Sequence, residues 1–214
     1  MKTVAVVPVK SLSEAKSRLA GALSPEQRSA LALHMLHHVL DAIAASGVVD
    51  GTAVISPEPG LLDLPSGVTG LAQARAGLNH VFYQGRAWAA AKGADALLAV
   101  LADLPLLGAG DITAMAKLAE APNTVVLAPD RHGVGTNAML VHPLSRARFK
   151  FGTRSFPLHR SVYAEADMLV KTYTSPGTSL DLDTPEDLAF LAEYGVGPTF
   201  AQGLAGSVQP AIGG

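Results

Sequence analysis

Three cations, Lys10, Lys16 and Arg18, follow closely on an apolar run from Thr3 to Val9 (TVAVVPV) that reads as a buried strand. In an open α/β sheet, ligands bind beyond the C-terminal ends of the strands. Three positive charges there suit a polyanion, most simply a nucleoside triphosphate. Ser13 is placed to cap a short helix in this segment, and the free N–H groups of a helix start also favour an anion. A solvated basic turn is the plain alternative, because such turns are common.

Carboxylates answer these cations elsewhere in the chain. Asp103 follows the most apolar segment, 96–101 (ALLAVL). A carboxylate at such a strand end is costly to bury unpaired, so it should meet water, a cation or a metal. Hard oxygen ligands suit Mg²⁺ where substrate phosphates complete the shell. A turn or helix-capping aspartate is the competing reading. Asp181 and Asp183 alternate in LDLDTPEDL (180–188), which places both on one face of an extended segment. Asp183 or Thr184 also suits an N-cap, with Pro185 at the first helical position and acids in the first turn. One of the two aspartates facing Asp103 would give a pair of carboxylates for one Mg²⁺.

Small and polar residues form further candidate contacts. In PDRHGVGTN (129–137), Gly133 and Gly135 allow close backbone approach, Thr136 and Asn137 offer short polar contacts, and Arg131 suits a phosphate or carboxylate. An ordinary hairpin loop explains the same composition. Gly152 in FKFGTRSF (149–156) precedes a helix start with Ser155 as a cap, in a locally basic setting of Arg148, Lys150 and Arg154. Gly77 and Asn79 open another helix, where backbone and side-chain amides could meet a base or ribose.

The elements that must position these residues alternate between strand and helix. Ser24-Pro25-Glu26-Gln27 reads as a capping box opening a helix that Gly47 ends near Ser46. Strands are expected at 52–56, 96–101, 124–128, 138–142 and 168–174. Helices are expected at 79–92, 111–120, 155–165 and 185–194. This order predicts a mostly parallel, three-layer α/β/α sheet in a single domain over 1–196. The glycine-rich, uncharged segment 197–214 reads as a flexible tail. Trp88 and the phenylalanines are expected in the core.

At 214 residues and 49% hydrophobic, the chain can build a full core. A net charge of −2 gives no basic excess for nucleic acid and no basic face for a membrane. No apolar run approaches the roughly 20 residues of a spanning helix, and no secretory signal is read at the start. Without cysteine there is no disulfide, thiolate zinc site or cysteine nucleophile, and a cytoplasmic location is expected. The seven histidines show no HExxH spacing. Neither a GxSxG elbow nor a GxxxxGK[ST] loop is present.

Taken together, VPVKSLSEAKSRL (7–19), LSPEQR (23–28), GLN (77–79), ADLPLL (102–107), APDRHGVGTNAM (128–139), FGTRSF (151–156) and LDLDTPEDL (180–188) resemble the 2-phospho-L-lactate guanylyltransferase family. The resemblance covers roughly residues 3–194. ADLPLL and DxDTPEDL occur across many nucleotidyltransferases, whereas the pair PDRHGxGTNA and FGxxSF is far more specific. Two segments depart from the family pattern: Leu71–Ala76 lacks an acidic or glycine-rich lead, and Pro157 follows the FGTRSF motif.

The resemblance implies a Rossmann-like fold of the nucleotide-diphospho-sugar-transferase kind. It implies an enzyme that joins GTP to 2-phospho-L-lactate, phosphoenolpyruvate or 3-phospho-D-glycerate, with release of pyrophosphate, toward coenzyme F-420. On this chain it assigns Pro8, Val9, Lys10, Lys16, Arg18, Gly77, Asn79 and Asp103 to the nucleotide. Lys10, Lys16, Arg18 and Asp103 would carry catalysis. Thr136, Gly152 and Ser155 would hold the acceptor, and Asp103 and Asp183 would hold Mg²⁺. A homodimer is the default oligomer. Two rivals stand beside it. A molybdopterin or sugar-phosphate nucleotidyltransferase would begin with LAGGxSxRMG, which is absent here. A non-catalytic nucleotide-binding protein would have no use for two aspartates facing a triphosphate.

Overall fold

The computed structural model describes residues 1–193; the tail expected at 197–214 lies outside them. Seven strands, β1 (Thr3–Pro8), β2 (Gly51–Ser56), β3 (Val68–Ala72), β4 (Ala96–Val100), β5 (Thr124–Pro129), β6 (Thr136–His142) and β7 (Leu169–Thr172), form one sheet in the order β3-β2-β1-β4-β6-β5-β7. The helices are α1 (Pro25–Ser46), α2 (Leu78–Ala91), α3 (Ala109–Leu118), α4 (Ser155–Ala164), the single turn α5 (Pro176–Ser179) and α6 (Pro185–Glu193). All strand pairings are parallel except those of β6, which runs against both β4 and β5.

Residue alternation sorts the core into two layers. Ala5 and Val7 of β1 face one side with Val54, Leu98, Val100 and Leu140, covered by α1 and α3. Val4 and Val6 face the other with Ile55, Leu97, Met139 and Val141, covered by α2, α4 and the Phe149–Phe151 segment. The three-layer α/β/α sandwich follows from burying both faces of a mainly parallel sheet.

Local signals match at the helix ends. Ser24 accepts from Gln27 N–H and the Gln27 side chain accepts from Ser24 N–H, with Pro25 at the first position. Gly47 ends α1 at φ 65°, a conformation glycine adopts without penalty. Phe82, Phe149 and Phe151 lie in the core, with Trp88 packed at its edge. No described helix is long and apolar enough to cross a membrane.

Several expectations require correction. Strand β3 has no counterpart in the sequence reading. Its VTGLA is an exposed edge interrupted by Gly70, so neither an apolar run nor clean alternation marks it. The single turn α5 is too short to leave a periodic pattern. Ser13 caps nothing: it lies inside the 3₁₀ turn Leu12–Glu14, and a second such turn covers Ser17–Leu19. Ser155 is the first helical residue of α4, and Arg154, at φ 57°, occupies the cap position.

Candidate active site

The C-terminal ends of β1 and β4 open into a cleft of about 540 Å³. Pro8, Val9, Lys10, Lys16 and Arg18 line it from β1 onward, Leu101 to Asp103 from the end of β4, and Gly77 and Leu78 from the start of α2. Asp183 closes it from the segment before α6. Most of the residues assigned to the nucleotide therefore share one surface. Asn79 is the exception, because both halves of its amide are engaged by Phe151. Asn79 Nδ2 donates to Phe151 O at 2.9 Å, and Phe151 N–H donates to Asn79 Oδ1 at 2.8 Å.

Lys16 is the electrostatic centre of the cleft. The chain turns through φ 50° at this residue, between the two 3₁₀ turns. Its Nζ donates to Asp103 Oδ2 and to Asp183 Oδ1, both at 2.8 Å, and its side chain is only 9% exposed. Burial opposes the ammonium charge. The Asp103 and Asp183 carboxylates outweigh that penalty and hold the pKa above the ordinary lysine value. Arg18 stands 3.9 Å from Asp183 Oδ2 but is 73% exposed, so solvent screens that pair.

A third carboxylate, Asp181, stands beside Asp103 and Asp183. Asp181 is held up from the ordinary aspartate range first by burial and then by the charge of Asp103, while Asn137 Nδ2 donates to its Oδ1 at 3.3 Å. Asp103 Oδ1 is buried without a hydrogen-bond partner. Among the described residues, no three metal-ligating side chains converge as they stand, because the Lys16 ammonium sits between Asp103 and Asp183. Asp103 Oδ1, the buried oxygen left without a partner, is a hard donor close to the Asp181 and Asp183 carboxylates. That donor chemistry fits Mg²⁺.

The reversed strand β6 brings a second group to the same edge. Its start meets the end of β4, where Leu101 N–H donates to Asn137 O at 3.0 Å. Thr136 thus lies beside the Asp103 segment, although neither it nor Gly152 nor Ser155 lines the cleft itself. The β5–β6 loop is organised by Asp130. Its Oδ1 accepts from His132 and Val134 N–H at 3.0 and 2.9 Å, and its Oδ2 accepts from Gly135 N–H at 2.7 Å. Phe156 N–H donates to Val134 O at 3.0 Å, which joins this loop to the start of α4. Arg131, expected to meet a substrate anion, instead pairs with Asp187 at 2.6 Å and lies over the Phe190 ring. Asp187 in turn accepts from Thr184 N–H at 2.7 Å, so Thr184 rather than Asp183 caps α6.

Two residues of this region were not singled out from the sequence. Gln73 lines the cleft just after β3; its Nε2 donates to Arg75 O at 2.8 Å, which leaves Oε1 as an acceptor. His159 is buried against Thr136, with Nδ1 3.0 Å from Oγ1. Its only sequence signal is the four-residue spacing Ser155, His159, Tyr163, which places all three on the buried face of α4.

The family model described as "Guanylyl transferase CofC like" matches residues 3–204. The chain belongs to this family. Relatives in the family include the phosphoenolpyruvate guanylyltransferase of Sphaerobacter thermophilus, 42% identical over 197 residues, covering 91% of this chain and 94% of that protein. The protein of the same name from Rubrobacter xylanophilus is 41% identical, covering 91% and 96%. A solved structure of a nucleotide-diphospho-sugar transferase from Desulfovibrio desulfuricans superposes with a TM-score of 0.77 at 16% identity, covering 94% of this chain and 91% of that one. That likeness shows the shared fold. The fold expectation is met, and the chain is a guanylyltransferase by family.

Proposed function

We propose that this guanylyltransferase joins GTP to phosphoenolpyruvate and releases pyrophosphate, within coenzyme F-420 synthesis. 2-Phospho-L-lactate and 3-phospho-D-glycerate are the neighbouring acceptors. The choice of acceptor is supported by the relatives that share about two-fifths of their residues with this chain. The observation that carries the catalytic reading is Lys16, bonded at 2.8 Å to both Asp103 and Asp183 at the mouth of the sheet.

The reaction needs no protein nucleophile. A phosphate oxygen of the acceptor attacks the α-phosphorus of GTP. The new O–P bond forms as the bond from the α-phosphorus to the α–β bridging oxygen of GTP breaks, and that oxygen leaves with the electron pair as a terminal oxygen of pyrophosphate. The attacking oxygen is already anionic, so no strong base is required. What must be overcome is repulsion between two polyanions, so the protein acts by positioning and by neutralising charge. Lys10 and Arg18 face the triphosphate. Lys16 holds Asp103 and Asp183 at a fixed separation. Thr136, Gly152 and Ser155 hold the acid. Asp103, with Asp181 and Asp183, would hold Mg²⁺, which when bound would supply further neutralisation of phosphate charge. Gln73 Oε1 offers an acceptor to the N1–H and amino group of guanine, where adenine presents an unprotonated N1.

Pyrophosphate release is to be measured with GTP, Mg²⁺ and each of the three acids in parallel. Turnover with phosphoenolpyruvate above the others is expected. Turnover with another acid alone would move the chain to that branch, and none with any would overturn the reading.

A further inference from the structure

We infer that His159 is a positioning residue that commits the Thr136 hydroxyl to donate its proton to the phosphorylated acid. The inference rests on the reading that Thr136 holds the acceptor. Lys150 N–H donates to His159 Nε2 at 2.8 Å. A backbone N–H only donates, so Nε2 carries no proton. Burial, assisted by the Lys150 charge, lowers the imidazole pKa to about 4, so the ring is neutral near neutral pH. Its one proton is then on Nδ1, which donates to Thr136 Oγ1 across 3.0 Å. The threonine oxygen accepts, and its own proton remains unspent. Among the described residues Thr136 Oγ1 has no other hydrogen-bond partner. An anion placed there would receive a donor that needs no reorientation, which is how preorganised dipoles assist a reaction.

The same ring sets the spacing of the acceptor positions. By holding Lys150 N–H it ties the start of β6 to the segment that leads through Gly152 into Ser155 of α4. Two other groups peg that segment: buried Tyr163 Oη accepts from Arg148 N–H and donates to Arg148 O, both at 2.8 Å, and the half-buried Asn79 amide holds Phe151. Among the described residues, His159 is the one of these pegs that also bonds a candidate ligand of the acid, Thr136.

The test is a set of KM values for phosphoenolpyruvate and for GTP, read by pyrophosphate release, in His159→Gln, His159→Asn, Thr136→Val and the His159→Gln/Thr136→Val double variant. Glutamine offers an acceptor near Nε2 but no donor near Nδ1; asparagine offers the donor. His159→Gln should raise the KM for phosphoenolpyruvate roughly tenfold, the scale of one hydrogen bond, and leave that for GTP within about twofold. His159→Asn should restore most of the loss, and the double variant should be no worse than Thr136→Val alone. Additive losses, equal damage from asparagine and glutamine, or a parallel rise in the GTP KM would show a merely structural histidine and overturn the inference. A Thr136→Val enzyme with unchanged KM for phosphoenolpyruvate is a separate result; it would remove the acceptor role of Thr136 and this inference with it.

Discussion

Acidification should weaken the fold through His159 in particular. The ring is fully buried, both nitrogens are committed to Thr136 and Lys150, and its pKa falls from the ordinary 6.5 to about 4. A depressed folded-state pKa means that the unfolded chain binds the proton first. The associated stability is complete above about pH 6.5 and is lost as pH falls toward 4, at up to about 1.4 kcal/mol per pH unit. Between about pH 7 and about pH 4.5, this one group should remove about 2 kcal/mol, a large share of a typical domain's stability. Urea unfolding of the wild type and of His159→Gln across that range isolates the effect, because titration of the aspartates and glutamates is common to both. The wild type should lose about 2 kcal/mol more than the variant over the interval. Parallel stability curves would refute the reasoning, since they would mean that the imidazole titrates alike in the folded and unfolded chains.

Other consequences follow from the same geometry. Asp103→Ala should cut kcat by at least ~10²-fold, the scale of losing one key electrostatic group, as measured by pyrophosphate release at saturating substrates; near-normal turnover would remove Asp103 from the mechanism. Gln73→Leu should narrow the preference for GTP over ATP in kcat/KM, because the acceptor facing the base edge is gone; an unchanged ratio would place base recognition elsewhere. Gly85→Ala should destabilise the protein by about 1–3 kcal/mol, since a Cβ there would stand 2.6 Å from Val6 Cγ1 where α2 crosses β1. An unchanged thermal midpoint would show that the helix moves away freely.

Much of this protein was legible without its tertiary structure wherever the governing physics is local. Ser24 and Gln27 could cap α1, and Gly47 could end it, because those hydrogen bonds and dihedrals involve residues a few positions apart. The buried strands were visible as apolar runs because both faces of the sheet are covered, and the charged and glycine-rich motifs stood out beside their ends.

What only the folded molecule decided is which distant groups meet. Lys16 finds carboxylates 87 and 167 residues away, and it stands between the two aspartates expected to share a metal. Composition reveals both charges but cannot show a salt bridge, because pairing depends on strand order and on the left-handed turn at Lys16. The reversal of β6 brings Thr136 to the same sheet edge as Asp103. Asn79 and Arg131 were polar residues in plausible loops, and tertiary partners consumed both. His159 gained its role in the opposite way, since burial keeps its ring neutral, the Lys150 N–H at Nε2 leaves the proton on Nδ1, and β6 supplies Thr136 to receive it. Local periodicity sets where helices and strands form; the cost of burying an unpaired polar group decides, in three dimensions, which side chains are held as supports and which remain open to a ligand.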